Sequence, residues 1–276
     1  MTTDSNHAAS STDTAPRPVG EALAELAAAR CRMIARGLSR KKDRHDGVHR
    51  ARKAIRSLRA ILALAGDELG DEAIPIDRSL QRLARGLSTL RDAHVAVATA
   101  QSLATPDDEQ PWLDVTARLH ARSERLLADA LACDPAFSTR RAGVARLAKA
   151  LAALPWRRVR RKALYSALAQ SELRVAKAER KAKERMTASR LHRWRRRVRR
   201  LRMQVDAMRR AEVGHESLRA MQGKRVRQLK ARTDLLGRRQ DLEVLRRLLP
   251  QVCSAAERAT LNARLREEIA DLDCTD

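Results

Sequence analysis

Aromatic residues are scarce in this chain of 276 residues, where they make up 2% of the sequence. A core must therefore be filled mainly by leucine, alanine and valine, and that composition suits helices. Glycine and proline are also few, with 10 and 8 copies, and most of them stand between segments of periodic apolar residues. No stretch shows the alternating pattern of a β-strand. These absences predict an all-α protein.

The sequence also lacks the features of membrane and disulfide-rich proteins. Its four cysteines include no C-x-x-C pair, which argues against a metal framework and fits reduced thiols. No apolar run approaches the roughly 18 residues of a membrane span. The N-terminus shows no basic and then apolar signal pattern. We therefore expect a cytoplasmic protein with no membrane partner.

Signatures of common enzyme sites are missing as well. The sequence contains no G-x-x-x-x-G-K-[ST], no H-E-x-x-H and no G-x-S-x-G. Neither an acid/base pair nor a group of metal-binding carboxylates lies near the basic segments. Arginines beside the histidines would also repel a metal cation. We expect a protein that is not an enzyme, with no metal and no cofactor.

Positive charge is what the chain has in excess. Lys and Arg total 58 against 34 Asp and Glu, which gives a formal net charge of +24. The excess is local, because residues 137–210 contain 25 basic and 4 acidic residues while the remainder holds 33 and 30. Localised basicity indicates a binding surface, so the expected partner is a polyanion.

Apolar periodicity divides the chain into helices. Residues 1–18, rich in Ser, Thr, Ala and Asp, are expected to form a flexible tail. A first helical half is predicted for residues 19–134 and a second for residues 135–276. We expect the third helix to run unbroken from Ile76 to Leu103, and a long basic helix to run from Trp156 to about Met186.

The most basic segment, SRLHRWRRRVRRLRM at residues 189–203, combines an apolar seam with a basic stripe. Residues at steps of three and four are apolar and predict a partly buried helix: Leu191, Trp194, Val198, Leu201 and Val205. The stripe follows one residue later, turned about 100° from the seam, and we call it the second stripe: His192, Arg195, Arg199 and Arg202. The same construction occurs 143 positions earlier in VHRARKAIRSLR, where the seam is Val48, Ala51, Ile55, Leu58 and Leu62. Its first stripe is His49, Arg52, Arg56 and Arg59.

Repeated arginines on one helix face suit a repeated phosphate ligand. Arginines one turn apart lie about 5.4 Å apart along the axis, and their forked donors match phosphate oxygens. A histidine at the start of each stripe can donate when protonated; bound phosphate raises its pKa, and neighbouring arginines lower it. The alternative is a solvated basic face of an ordinary surface helix. Two copies in one register beside a seam favour the binding interpretation.

A second repeated element follows each stripe. RDAHV at residues 91–95 in the first half matches QDLEV at residues 240–244 in the second half. Asp92 and Asp241 are predicted to hold a basic neighbour in position through a charge-assisted hydrogen bond. The sequence is equally compatible with an ordinary surface ion pair between each Asp and a residue one helical turn away. Both repeats together indicate an internal duplication.

The duplicated histidine and arginine helix with its downstream Asp segment resembles the CHAD family, the conserved histidine α-helical domain, with residues 19–272 forming one such domain. The resemblance implies two four-helix bundles related by a pseudo-twofold axis, with a basic cleft between them that binds inorganic polyphosphate. On that basis the cleft would be lined by His49, Arg52, Lys53, Arg56, Arg59, His192, Arg195, Arg196, Arg199 and Arg202. Arg91, Asp92 and Asp241 are expected to support it. Gln240 departs from the pattern, because it stands where the first copy has Arg91.

Three functions are compatible with these residues. The first is non-catalytic binding of inorganic polyphosphate, with recruitment to polyphosphate granules. The second is non-specific binding of nucleic acid through the duplex backbone, since phosphate contacts dominate such affinity; the few aromatics argue against stacking of single-stranded bases. An enzyme acting on phosphate polymers is the third, and the missing acid/base pair argues against it.

Overall fold

The computed structural model of the chain describes residues 18–105, 109–214 and 216–274. Those residues form α-helices joined by turns and short 3₁₀ segments, with no β-strand among them, so the all-α prediction is confirmed. The predicted tail lies outside the described residues apart from Pro18. The helices are α1 Val19–Ser39, α2 Arg44–Leu69, α3 Ala73–Gly86, α4 Ser88–Gln101, α5 Glu109–Cys133, α6 Ser138–Ala152, α7 Arg161–Glu184, α8 Ala188–Arg210, α9 Glu216–Leu248 and α10 Ala255–Cys274.

Side-chain caps fix where the two striped helices, α2 and α8, begin. The Asp43 carboxylate accepts a hydrogen bond of 3.0 Å from the backbone N–H of Asp46 at the start of α2. Thr187 caps α8 in the same way, with its hydroxyl accepting from the backbone N–H of Arg190 at 3.3 Å. Each cap satisfies a donor that the first helical turn leaves unpaired. The histidine of each stripe therefore lies within the first two turns of its helix.

Both predicted seams are buried, which confirms the helical period inferred from the sequence. Every seam residue of α2 and of α8 is buried. The α2 seam lies in a core that joins α1, α2, α3 and α6. The α8 seam lies in a different core, formed with α7 and α9. Each seam therefore lies in a core of its own, although α8 also adds Ala207 and Met208 to the core of the α2 seam.

The apolar cores cross the predicted boundary near residue 134. α6, from the second half, packs on α1 and α3 of the first. A further core joins α4 and α5 of the first half to α9 and α10 of the second, around the buried side chains of Trp112, Leu242 and Leu265. Two of the three cores therefore combine residues of both predicted halves, while the core of α7, α8 and α9 lies within the second.

The predicted unbroken third helix is wrong, because the chain breaks at Leu87. This residue has φ −106° and ψ 1°, outside the helical region, and it separates α3 from α4. Gly86 precedes it, and glycine is a weak helix former; the Ser88 hydroxyl donates to the Arg85 carbonyl oxygen at 2.5 Å across the break. Burial of the Leu87 side chain fixes the corner. The break lets α3 pack on α2 and α6 while α4 packs on α5 and α9.

The predicted basic helix also starts later than expected. A 3₁₀ turn, Trp156–Arg158, precedes α7, which begins at Arg161. The Trp156 ring is buried and its Nε1–H donates to the Leu151 carbonyl oxygen at 2.7 Å. Aromatic burial there outweighs helix propensity, so the chain turns before α7 starts.

The crossing of α1 and α2 depends on glycine at Gly37, where a methyl group would lie 2.7 Å from the Gly47 carbonyl oxygen. We predict that Gly37→Ala lowers the free energy of unfolding by about 1–3 kcal/mol, because backbone must move to admit the side chain. Gly66→Ala in α2 is the matched control, since nothing lies within 4 Å of its added carbon; it should be neutral or stabilising by up to about 1 kcal/mol. Urea denaturation measures both, and equal effects would contradict the close-packed crossing.

Candidate anion-binding site

The two stripes meet where α2 packs against α8. Their seams are buried in separate cores, and the charges of the two stripes are close enough to lower one another's pKa. Arg56 of the first stripe and Arg199 of the second lie close enough to repel one another. We call these two residues the central arginine pair. The apolar packing on either side therefore brings like charges together.

The central arginine pair has no compensating anion. Both side chains are half-buried, and neither forms a hydrogen bond or ion pair with another described residue. The Nε of Arg56 is buried without a partner. Burial first, and then Arg56, Arg195, Arg91 and Arg52, lower the pKa of Arg199 to about 8. Burial and neighbouring arginines likewise lower the pKa of Arg56 to about 10. Both groups stay charged at neutral pH, so the site is electrostatically strained when empty.

Neutral oxygens anchor the arginines on either side of the pair. Arg195 is buried, and its Nη1 donates to the Gln240 side-chain oxygen at 2.8 Å. Arg52 donates to the Ala84 backbone carbonyl. The Nε atoms of both arginines are buried and unpartnered among the described residues. These contacts fix the guanidinium groups without cancelling their charge.

A glycine that sequence reasoning missed makes room for Arg195. A methyl group at Gly237 in α9 would lie 2.7 Å from Arg195 Nη2 and 3.2 Å from its Cζ. The guanidinium therefore occupies the space beside α9 that a side chain at this position would fill. Glycine in the middle of a long helix costs stability. Its presence inside a predicted helix was therefore the sequence feature that could have indicated a close contact at this position.

The repeated Asp segments converge on one arginine. Arg91 Nη1 lies 3.1 Å from Asp92 Oδ1 and 3.4 Å from Asp241 Oδ1. Arg91 also contributes to lowering the pKa of both members of the central arginine pair, so it belongs to the basic cluster and is more than a support. Gln240 departs from the repeat and serves the second stripe instead: it bonds Arg195 and also His192.

The two histidines of the stripes differ in exposure but not in the direction of their pKa shift. His49 is exposed and His192 is half-buried. Burial is the first cause that lowers the pKa of each, and nearby arginines add to it. The hydrogen bond with Gln240 acts against this shift at His192. In the free protein both shifts therefore favour the neutral imidazole.

The structure separates Arg59 from the rest of its stripe. Its Nε and Nη2 donate to the two carboxylate oxygens of Asp77 at 2.7 and 2.9 Å, a paired contact with α3. That charge is neutralised within the protein. Lys53 and Arg196 are exposed, at the margin of the cluster. Arg59 is thus the predicted site residue least available to a ligand.

A pocket of about 640 Å³ lies beside the stripes, between α1, α2, α8 and α9. We call it the basic pocket. His49, Lys53 and Arg202 of the predicted site line it, together with three basic residues that the sequence did not single out: Arg30, Arg50 and Arg210. Arg30 comes from α1, whose contribution could be found only from the tertiary packing.

No metal site accompanies these residues. Among the described residues, no group of three or more His, Cys, Asp or Glu side chains is arranged to hold a metal ion. None of the helices in this part of the chain is both long and apolar enough to cross a membrane.

Comparison with known proteins identifies relatives of this fold. A family model described as CHAD domain matches residues 20–250. The crystal structure of the CHAD domain from the plant Ricinus communis is 21% identical, with a TM-score of 0.70 over 94% of this chain and 91% of that chain. PptA from Streptomyces chartreusis is 16% identical, with a TM-score of 0.67 over 93% of this chain and 97% of that one. The comparison with curated proteins gave no match. At these identities the two structures establish a shared fold.

The strain at the central arginine pair predicts that Arg199→Met stabilises the free protein. Removing a half-buried, uncompensated charge should raise the free energy of unfolding by about 1–2 kcal/mol at low salt. The gain should shrink at high salt, because screening weakens the repulsion in the wild type. Arg141→Met removes an exposed charge on α6 and serves as the control. Urea denaturation at two salt concentrations tests this, and a destabilised Arg199→Met would contradict it.

Proposed function

Because this chain belongs to the CHAD domain family, we propose that its two stripes bind inorganic polyphosphate and do not catalyse its turnover. The single observation that carries the proposal is the central arginine pair, half-buried and without an anion. A polymer with one negative charge per internal phosphate offers oxygens at short, regular intervals. Forked guanidinium groups one helical turn apart suit such a ligand.

The proposal of binding without catalysis rests on the state of the nearby carboxylates. Asp92 and Asp241 are both engaged by Arg91. A carboxylate that compensates an arginine is poorly suited to accept a proton or to hold a metal ion during hydrolysis. The arrangement supports a binding module. A cytoplasmic location and recruitment to polyphosphate granules are the setting that we propose for such binding.

We include the internal duplication in the proposal. α2 and α8 carry matching stripes, while α4 and α9 carry the matching Asp segments. The members of each pair contact each other, α2 with α8 and α4 with α9. A pseudo-twofold axis through these contacts would relate the halves and give a linear ligand similar surroundings from both sides.

Nucleic acid is the second candidate ligand. The described aromatic side chains are of little use for stacking bases: all three tryptophans and Phe137 are buried, and Tyr165 on α7 is 40% exposed. Exposed basic residues along α7 could still follow a duplex backbone, among them Lys177, Arg180 and Lys181. We rank this second, because the half-buried arginine pair is less accessible to a wide duplex than to a thin polymer.

A competition experiment tests the proposal against its alternative. Labelled polyphosphate is bound at physiological salt and displaced by unlabelled polyphosphate or duplex DNA at equal phosphate concentration. We expect polyphosphate to displace at least about 100-fold better, since forked donors in a half-buried site gain most from a bare phosphate polymer. The double variant Arg56→Gln with Arg199→Gln should lose this binding and keep its helical circular dichroism. Arg141→Gln is the matched control. Equal displacement by DNA would favour the second candidate.

The pH dependence of binding tests the histidines. In the free protein their pKa values lie below the usual 6.5, whereas bound phosphate favours the imidazolium and raises them. Binding therefore takes up protons, so affinity rises as pH falls through the raised values and levels off below the lowered ones. The variant with His49→Gln and His192→Gln should lose most of this dependence between about pH 8 and 5.5. Long chains minimise the ligand's own terminal protonation. Equal pH slopes for variant and wild type would show that the histidines do not contact phosphate.

A further inference from the structure

The basic pocket has a fixed order of charge along its α2 wall. Moving from Arg56 towards the start of α2, the pocket is lined by Lys53, then by Arg50 and His49, then by Asp46. With a rise of about 1.5 Å per residue, Asp46 lies about 15 Å along the axis from Arg56. Among the described residues, the unpartnered groups on this wall therefore end at His49, and beyond it Asp46 is paired with Arg40 and Arg50.

The α8 wall repeats this order in the opposite chain direction. From Arg199 towards the end of α8, the pocket is lined by Arg202 and then by Asp206, one turn later. Towards the start of α8 the helix carries Arg196, Arg195 and His192, and no carboxylate occurs between Ala188 and Val205. Beside α8 the unpartnered basic groups of the described chain thus end at Arg202, because Asp206 beyond it is paired with Arg209 and Arg210.

The charged groups of the pocket fall into two sets. The first set is held within the protein: Asp46 accepts from Arg50 Nε at 2.5 Å and Asp206 accepts from Arg210 Nε at 2.9 Å, while Arg30 keeps its charge and is oriented by the Ser57 hydroxyl, to which its Nε donates at 2.9 Å. The second set is His49, Lys53 and Arg202, which form no hydrogen bond or ion pair with other described residues. These three side chains remain for a ligand, on the side nearer the central arginine pair.

We propose that the basic pocket captures the end of a linear phosphate polymer, an inference that rests on the proposed function. A terminal phosphate has a single neighbour in the chain, so it can fill the pocket while the polymer continues past Arg56 and Arg199. An internal phosphate has neighbours on both sides, and one of them would lie near Asp46 and Asp206, where Arg50 and Arg210 are already engaged by those carboxylates. The terminal group also has a second ionisation near pH 6, as phosphate monoesters do, and so brings extra negative charge to the unpartnered cations.

Binding stoichiometry on chains of defined length tests end capture. Linear polyphosphates of increasing length are saturated with excess wild-type protein, and the mass of each complex is measured by light scattering. We expect one protein molecule at each end, so the number bound per chain stays constant as the chain lengthens. A number that grows in proportion to length would overturn end capture and leave polyphosphate binding intact. No binding to any length would overturn the proposed function itself.

Chains of one length with free or esterified terminal phosphates give a second, independent test. We expect esterification to weaken binding to wild-type protein by at least about tenfold, which is about 1.4 kcal/mol. Equal affinities would overturn end capture. The variant Lys53→Gln with Arg202→Gln should lose the preference for free ends.

Lys41→Gln with Lys42→Gln is the matched control for the pocket variant, because it removes the same charge from exposed positions just before α2. This control should keep the preference for free ends. A folded pocket variant that still prefers free ends would contradict the assignment. If the pocket variant does not fold, the two ligands compared on wild-type protein decide the question.

Discussion

Repulsion between guanidinium groups where α2 meets α8 is the constraint on which the rest of the structure depends. Neither helix can rotate to relieve it, because Ile55 and Leu58 hold α2 in one core while Val198 and Leu201 hold α8 in another. The apolar burial stabilises an arrangement that electrostatics alone would separate. An anion that enters between the helices therefore recovers free energy already stored in the fold, in addition to that of its own contacts.

The partners chosen for the arginines explain why the charge persists. Arg52 and Arg195 are positioned by a backbone carbonyl and an amide oxygen, which orient a guanidinium and leave its charge intact. Arg59, by contrast, is paired with Asp77 and contributes little net charge. Arginines with a neutral partner thus keep their charge for a ligand, whereas the arginine with a carboxylate partner is used within the protein. Gly237 serves the first group, because it lets Arg195 lie against a helix where no side chain intervenes.

Local pattern was sufficient to predict the all-α class, the seams and the flanking positions of the stripes, because these follow from composition and from the helical period. It was insufficient for the break at Leu87, where burial of one leucine fixes a corner that the continuous Leu80 to Leu90 periodicity concealed. The shared cores, the space at Gly237 and the contribution of Arg30 could not be inferred either, because each depends on which helices meet. Gln240 stands where the first copy has Arg91, and the sequence gives no reason for the change. Its role as the hydrogen-bond acceptor for Arg195 is visible only in the structure.

Shared cores also bear on synthesis of the protein. The apolar faces of α4 and α5 are completed by α9 and α10, which leave the ribosome more than 100 residues later. At elongation rates of roughly 5–20 residues per second, those faces stay uncovered for several seconds or longer. Contacts so distant in sequence also slow folding once the chain is complete. The nascent first half is therefore expected to need shielding by a chaperone, and truncation after α5 should give an aggregation-prone fragment instead of an independent domain.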